Sequence, residues 1–280
     1  MTRKMTRQST DLDHELRGEM GVRRFGRVNW LGLRTLIGRE VRRFMAVWQQ
    51  TIFAPLITAG LFIVVFVLAL GRDRGEVMGM PYVAFLGPGI LMMTVIQNAF
   101  ANSSSSMIAA KVQGNIVDTL MPPLSAGEIL AGYLAGSVIR AGLVALVIAL
   151  GLALTLGLVP ARPLWAVAFI VLGSLFMGGL GLLAGIIAQK FDQMAAITNF
   201  IVTPLSYLSG TFYSVDALPE PFRTLSHWNQ IFYLIDGLRY GFAGASDAPP
   251  LRGLVVCACA ALLVNWLGWR WLKTGYRMKP

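Results

Sequence analysis

Residues 44–71 read FMAVWQQTIFAPLITAGLFIVVFVLALG, a run without a single charged side chain. About 20 mostly apolar residues suffice to cross a bilayer as a helix. Working outward, five more stretches of comparable character follow. They are Val77–Ala110, whose later half is polar, Ile129–Val159, Pro163–Gln189, Gln193–Val215 and Gly253–Trp269. The spans are placed at about 47–70, 82–104, 130–158, 164–188, 194–213 and 253–272. The sequence thus predicts an all-α integral membrane protein with six transmembrane helices and both termini on one side.

Composition agrees. Hydrophobic residues make up 55% of the 280, charged residues only 14%, and mean hydropathy is +0.62. A soluble domain carries roughly 25% charged residues, so a water-soluble enzyme is disfavoured. Two cysteines exclude a disulfide scaffold. Residues 1–43 hold no early apolar core of a signal peptide and 1–28 read as a disordered cytoplasmic tail.

The net charge of +10 is unevenly spread. The N-terminal region, the 111–128 loop, residues 190–192 and the tail at 275–280 fall on one side, together with the basic end of the last helix. That side holds 17 of the 24 Lys and Arg and a net charge of +9. The opposite loops hold six and are neutral. Basic loops face the cytoplasm, so both termini are expected there. This distribution orients helices in a membrane and argues against nucleic acid as a partner.

Three segments lie outside the spans. In 29–45, Trp30, Leu33, Ile37, Val41 and Phe44 recur every three or four residues, with Arg34, Arg39, Arg42 and Arg43 between them. This is the pattern of an amphipathic helix on the cytoplasmic membrane face. In 215–250, large apolar residues such as Leu218, Phe222, Trp228, Phe232 and Leu238 are broken up by prolines, glycines and charges. The segment is expected to form short helices re-entering the membrane from outside, with backbone bonded within protein. In the loop 111–128, KVQGNIVDTLMPPLSAGE, Gly114 ends one helix, Asn115 caps a short helix 116–121, and Pro122-Pro123 stop it.

Chemistry-bearing motifs are scarce. His14 and His227 fall on opposite sides, and Cys257 and Cys259 point apart on one helix. No metal cluster or phosphate-binding loop for ATP appears. Gly179-Leu-Gly181-Leu-Leu-Ala184 matches a dinucleotide pattern, but within an apolar run and without a preceding strand. Together with Gly181–Gly185 and Gly132–Gly136 it reads as a small-residue packing face. Arg140 is the one charge near a membrane interior. It is either a functional intramembrane charge or a side chain that reaches back to the interface. Ser103–Ser106 either line an aqueous vestibule or bond within their helix. Asp236 and Arg239, three apart, would pair on a helix. No acidic relay crosses the membrane, which weighs against proton coupling.

Four stretches carry a resemblance. They are Pro88-Gly89-Ile90, Gly114-Asn-Ile-Val-Asp-Thr-Leu120-Met-Pro-Pro123, Pro204-Leu-Ser-Tyr-Leu-Ser-Gly210-Thr-Phe212-Tyr-Ser214, and Leu225-Ser-His-Trp-Asn229 followed by Tyr233 and Asp236-Gly-Leu-Arg239-Tyr-Gly241. Over residues 30–274 the order resembles the type-2 ABC exporter permeases, which include bacterial drug and polysaccharide export permeases. It departs from them at Gln230, where relatives commonly have proline, and at Val117-Asp118, where relatives often carry two acids.

The resemblance implies one membrane subunit of a bacterial inner-membrane exporter. Two permeases, two copies of this chain or one with a homologue, would pair with two separate ATPase subunits. ATP and Mg would bind on those partners and no cofactor on this chain, which is then not an enzyme by itself. Coupling to the ATPases is implied for Gln113, Gly114, Asn115, Ile116, Asp118, Thr119 and Leu120, and for Arg39, Arg42 and Arg43. Pro204, Gly210, Phe212, Asn229, Tyr233, Asp236 and Arg239 fall in the outer hairpin region. The cargo is expected to be amphipathic or hydrophobic. Readings left open are an ATP-independent transporter or channel and a membrane-embedded enzyme or assembly factor.

Overall fold

The computed structural model describes residues 28–70 and 76–277, without the side chains of 67–70. The tail expected at 1–28 lies outside the described residues save for Val28. The rest is a bundle of helices. In chain order they are α1 (Trp30–Met45), α2 (Ala54–Leu70), α3 (Tyr82–Val112), α4 (Ile116–Leu120), α5 (Ala126–Leu156), α6 (Pro163–Ile187), α7 (Phe191–Ile197), α8 (Thr203–Leu208), α9 (Phe222–His227), α10 (Gln230–Ala243) and α11 (Pro250–Thr274). A two-residue hairpin, Glu76–Val77 paired with Met80–Pro81, precedes α3.

Five helices among the described residues are long and apolar enough to cross a membrane. They are Gln49–Phe66, Tyr82–Val112, Ala126–Leu156, Pro163–Ile187 and Pro250–Thr274. The fifth expected span, 194–213, is instead a composite. α7 and α8 are joined by a π-helical turn, Thr198–Val202, and the helix stops at Leu208. Pro204, two residues beyond the π turn, has no N–H to give to the ladder, and a π turn absorbs such a gap. The same arrangement opens the first span, where the π turn Gln49–Phe53 ends two residues before Pro55.

α3 and α6 form the centre. The most apolar window of α3 is 83% buried inside the protein, against 11% for the first span. Backbones meet closely here: a Cβ on Gly181 of α6 would strike the Phe100 carbonyl of α3, and one on Gly185 would lie 2.7 Å from Met107 Cβ. The dinucleotide-like glycines are therefore a helix-packing surface. α2, α5 and α11 turn apolar side chains outward, among them Leu61, Val65, Leu146, Leu150, Leu262 and Trp266. An apolar exterior of this kind is what lipid tails cover.

The basic segments gather at one end. α1 docks on the start of α5, and Lys111 Nζ donates to the carbonyls of Ile186 (2.7 Å) and Ala188 (2.6 Å). A cation thus closes the C-terminus of α6. Arg277 Nη1 reaches Ile187 O at the same place (3.3 Å). The segment 215–250 lies at the other end as a 3-10 turn, α9 and α10. α10, at 14 residues, is about 21 Å long and too short to cross a bilayer.

Candidate functional site

The four stretches quoted above fall into two clusters, one at each end of α3. The first is a platform built by α1, α4 and the start of α5. Its anchor is Ser125-Ala-Gly-Glu128, a capping box that opens α5. Glu128 Oε2 accepts from Ser125 N (2.5 Å), and Oε1 accepts from the backbone N–H of Asn29, the N-cap of α1 (2.5 Å). One carboxylate therefore starts two helices.

α1 then runs across α5 over two glycines. A Cβ on Gly132 would strike Leu36, and one on Gly136 would lie 2.8 Å from Glu40 Cβ. Side chains four apart on one helix meet glycines four apart on the other, as small-residue packing requires. The buried residues of α1 are Leu36, Glu40 and Phe44. The expected apolar stripe turns out differently. Trp30 is 73% exposed, Leu33, Ile37 and Val41 are only partly covered, and Phe44 alone is buried. At about 100° per residue the stripe lies about a sixth of a turn from the packed face.

Glu40 is fully buried and is the hub of the platform. Its Oε1 accepts from Ser106 Oγ (2.8 Å) and Arg39 Nη2 (3.3 Å). Its Oε2 accepts from Arg43 Nε (3.3 Å) and Nη2 (3.1 Å). Arg43 continues to Asn102 O (2.8 Å), Asn102 Oδ1 (3.0 Å) and Ser105 Oγ (3.0 Å). Arg39 Nη1 donates to Thr119 Oγ1 of α4 (2.9 Å). Of the three arginines expected to couple, two are held inside this network. Arg42 stays exposed and donates to the carbonyl of Gly38 within its own helix.

α4 is pinned from one side. Ile116 and Thr119 are buried, whereas Val117, Asp118, Leu120 and Met121 are exposed. Gly114, at φ +74°, ends the continuation of α3 as expected. Gln113 closes that helix as its C-cap. Asn115 occupies the N-cap position but caps nothing. Its backbone is already turning (ψ 7°), and its Nδ2 faces Gln113 Oε1 at 3.5 Å. The helix proper ends at Leu120, one residue short of expectation.

The second cluster gathers the other three stretches. Arg239, buried on α10, lies 3.8 Å over the Phe85 ring and donates to Gly210 O (2.8 Å) and Phe85 O (3.4 Å). Asp236 faces it at 3.7 Å and accepts from the N–H groups of Asp247 (2.8 Å) and Ala248 (3.0 Å). The expected pair therefore forms, and it is buried. A Cβ on Gly89 would lie 2.6 Å from Thr211 O, so glycine after Pro88 lets the 209–214 turn approach α3. Phe212 stacks on Phe66 of the first span at 4.7 Å. Tyr82 donates to Phe212 O (3.2 Å). Asn229 caps α10 by accepting from Ile231 N and donates to Ser209 Oγ (2.7 Å). Gln230 is thus the first helical residue, a position that proline favours, and the hairpin needs no other turn to accommodate it. Tyr233 is buried against Phe232 and His227. Pro204 stands apart, in the composite rod.

Arg140 joins neither cluster directly. It lies midway along α5 and donates through Nε (3.3 Å) and Nη2 (3.1 Å) to Asn98 Oδ1 of α3. Its guanidinium is held by a side chain of a neighbouring helix. Ser103–Ser106 do not bond only within their helix either. Ser103 meets Ser137 across helices (2.6 Å), and Ser106 meets Glu40. Glu40, Asn98, Asn102, Ser125 and Glu128 are the residues that reading the sequence missed. Only the capping box had a local signal.

Comparison with known proteins agrees with this anatomy. A family model described as ABC-2 type transporter matches residues 32–243. The chain is 38% identical over 243 residues to the inner membrane transport permease YadH of Escherichia coli K12, covering 85% of this chain and 94% of that one. It is 27% identical over 206 residues to nodulation protein J of Sinorhizobium fredii NGR234, covering 71% and 77%. The Rhizobium leguminosarum bv. trifolii protein of the same name is 25% identical over 224 residues, covering 76% and 81%.

Proposed function

From the premise that the chain belongs to the ABC-2 type transporter family as a permease, we propose that it is the membrane subunit of an ATP-driven exporter. In this reading it crosses a bacterial inner membrane six times. The composite rod α7–α8 is the sixth crossing element beside the five long helices, and 215–250 re-enters from outside. Both termini are cytoplasmic. The clustering of the basic segments at one end of the bundle supports that orientation, and the similarity to an inner membrane permease supports the location. The domain is then 29–274, with short cytoplasmic tails. Two such subunits, identical or homologous, pair with two ATPase subunits that bind ATP and Mg. Apolar spans with few interior charges favour an amphipathic or hydrophobic cargo.

The observation that carries this reading is α4. A five-residue helix is fixed inward by Ile116 and by Thr119, which accepts from Arg39 of α1. It presents outward an apolar tip, Val117, Leu120 and Met121, beside the carboxylate of Asp118. Such a tip fits a socket on a partner. Its ties to α1 and α5 would pass a rotation of that partner to the bundle instead of letting it dissipate in a loop.

The test is Asp118→Lys, with a second variant carrying glycine across Ile116–Leu120, in the chain co-purified with its ATPase and reconstituted in liposomes. ATP hydrolysis should persist while export is lost. Unchanged export together with unchanged stimulation of hydrolysis refutes the proposal.

A further inference from the structure

The polar seam of α3 ends in a cation without an anion. Thr94, Asn98 and Asn102 recur every fourth residue, and each asparagine turns its oxygen to an arginine. Asn102 accepts from Arg43 and Asn98 from Arg140. Arg39 and Arg43 share the carboxylate of Glu40. Arg140 has no carboxylate partner among the described residues. Arg43, on Asn102 one turn further along α3, is also positive. Two guanidiniums thus share one carboxylate, and the third has a neutral amide.

A guanidinium has five N–H donors in a planar fork. Arg140 spends Nε and one bond from Nη2 on a neutral amide, which leaves donors unspent. It lies at the edge of the buried face of α5, partly accessible, between exposed Ile139 and buried Ala141. It is also only about one helical turn, roughly 5 Å, beyond Gly136, the glycine under Glu40. If α1 lies along the membrane surface, that depth is just beneath the inner headgroups. A cation held there without a counter-charge is costly unless an anion completes it. A fork of free donors suits the oxygens of a phosphate.

We propose that Arg140, oriented by Asn98 and backed by Arg43, binds the phosphate group of an amphipathic molecule entering from the inner leaflet. The inference deepens the export reading and rests on its topology. The group could be borne by a lipid headgroup or be phosphate itself, and the two are separable.

The experiment uses the full chain, purified and delipidated in neutral detergent. It is titrated with dioctanoyl-phosphatidylglycerol, with dioctanoylglycerol, which has no phosphate, as the neutral comparison, and binding is counted by native mass spectrometry. The wild type should prefer the anionic lipid by about tenfold. Arg140→Gln should abolish the preference. Asn98→Asp should abolish it too by supplying an internal counter-charge, while the melting midpoint stays equal or rises, so that loss of folding cannot explain the result. Competition by millimolar inorganic phosphate assigns the site to the phosphate group alone, and absence of competition assigns it to the lipid-borne group. No preference in the wild type, or a preference retained by both variants, overturns the proposal. Because no ATPase is present, failure here leaves the export reading standing. An uncoupled Asp118→Lys with intact lipid preference bears only on α4.

Discussion

Replacing Glu40 by glutamine keeps the shape of the side chain and removes its charge. In the wild type Oε1 faces Ser106 and Arg39, and Oε2 faces the Nε and Nη2 donors of Arg43. A glutamine retains one oxygen. If it serves Ser106 and Arg39, its NH₂ group points at Arg43, donor against donor, and the fork is lost. Hydrogen bonds to charged groups contribute about 1.5–3 kcal/mol. The Arg43 side chain is 32% exposed and keeps Asn102 and Ser105, so water and those partners absorb part of the loss. The net cost is about 2 kcal/mol, below the roughly 3–5 kcal/mol of breaking a fully buried pair. At about 2–4 °C per kcal/mol, the melting midpoint of the detergent-purified chain should fall by about 4–8 °C. Arg43→Gln should cost a similar amount, and the double variant little more than either single one, giving a coupling of about 2 kcal/mol. Costs that add within about 0.5 kcal/mol would show that Glu40 and Arg43 do not interact, and the hub at the centre of the platform would be refuted.

Two further substitutions probe the packing. Gly136→Leu should push α1 off α5, since even a Cβ there lies 2.8 Å from Glu40 Cβ. Overpacking costs about 1–3 kcal/mol, and trypsin should cleave faster within α1, whereas Gly142→Leu, which meets nothing within 4 Å, should not change the rate; equal rates in both variants refute the contact. Asp236→Asn leaves the buried Arg239 without its carboxylate and should lower stability by about 3–5 kcal/mol, with Asp236→Asn/Arg239→Met recovering part of it. A melting curve unchanged by Asp236→Asn would mean that the outer pair carries no stability.

The long helices were legible because crossing a bilayer demands a signal that composition cannot hide. Their ends were legible only where local chemistry set them. Gly114 and the proline pair at 122–123 bounded α4 correctly, and Ser125 with Glu128 spelled a capping box that was there to be read. α3 continues beyond its span to Val112 as expected, but its polar second half is satisfied by Glu40, Arg43 and Ser137, and the last is 34 positions from Ser103. No local pattern announces such partners. The π turns were equally silent, since one inserted residue leaves hydrophobicity intact. Only Pro55 and Pro204 hinted at them.

The misplaced face of α1 has a more general cause. In water, an apolar stripe marks the side of a helix that packs on protein. Beside a bilayer the preference is reversed, because lipid tails solvate leucine as well as a protein core does and give helices no apolar reason to associate. What draws α1 onto α5 is therefore what lipid cannot offer: close approach over Gly132 and Gly136, and a partner set for Glu40. Trp30 and its neighbours marked the side left free, and the single acid among four arginines marked the side that packs. The same reversal applies to α3, whose asparagines and serines look at first like a weak membrane span. They are instead met by Arg43, Ser137 and Glu40 of neighbouring helices, since a polar face inside hydrocarbon has to be covered by protein.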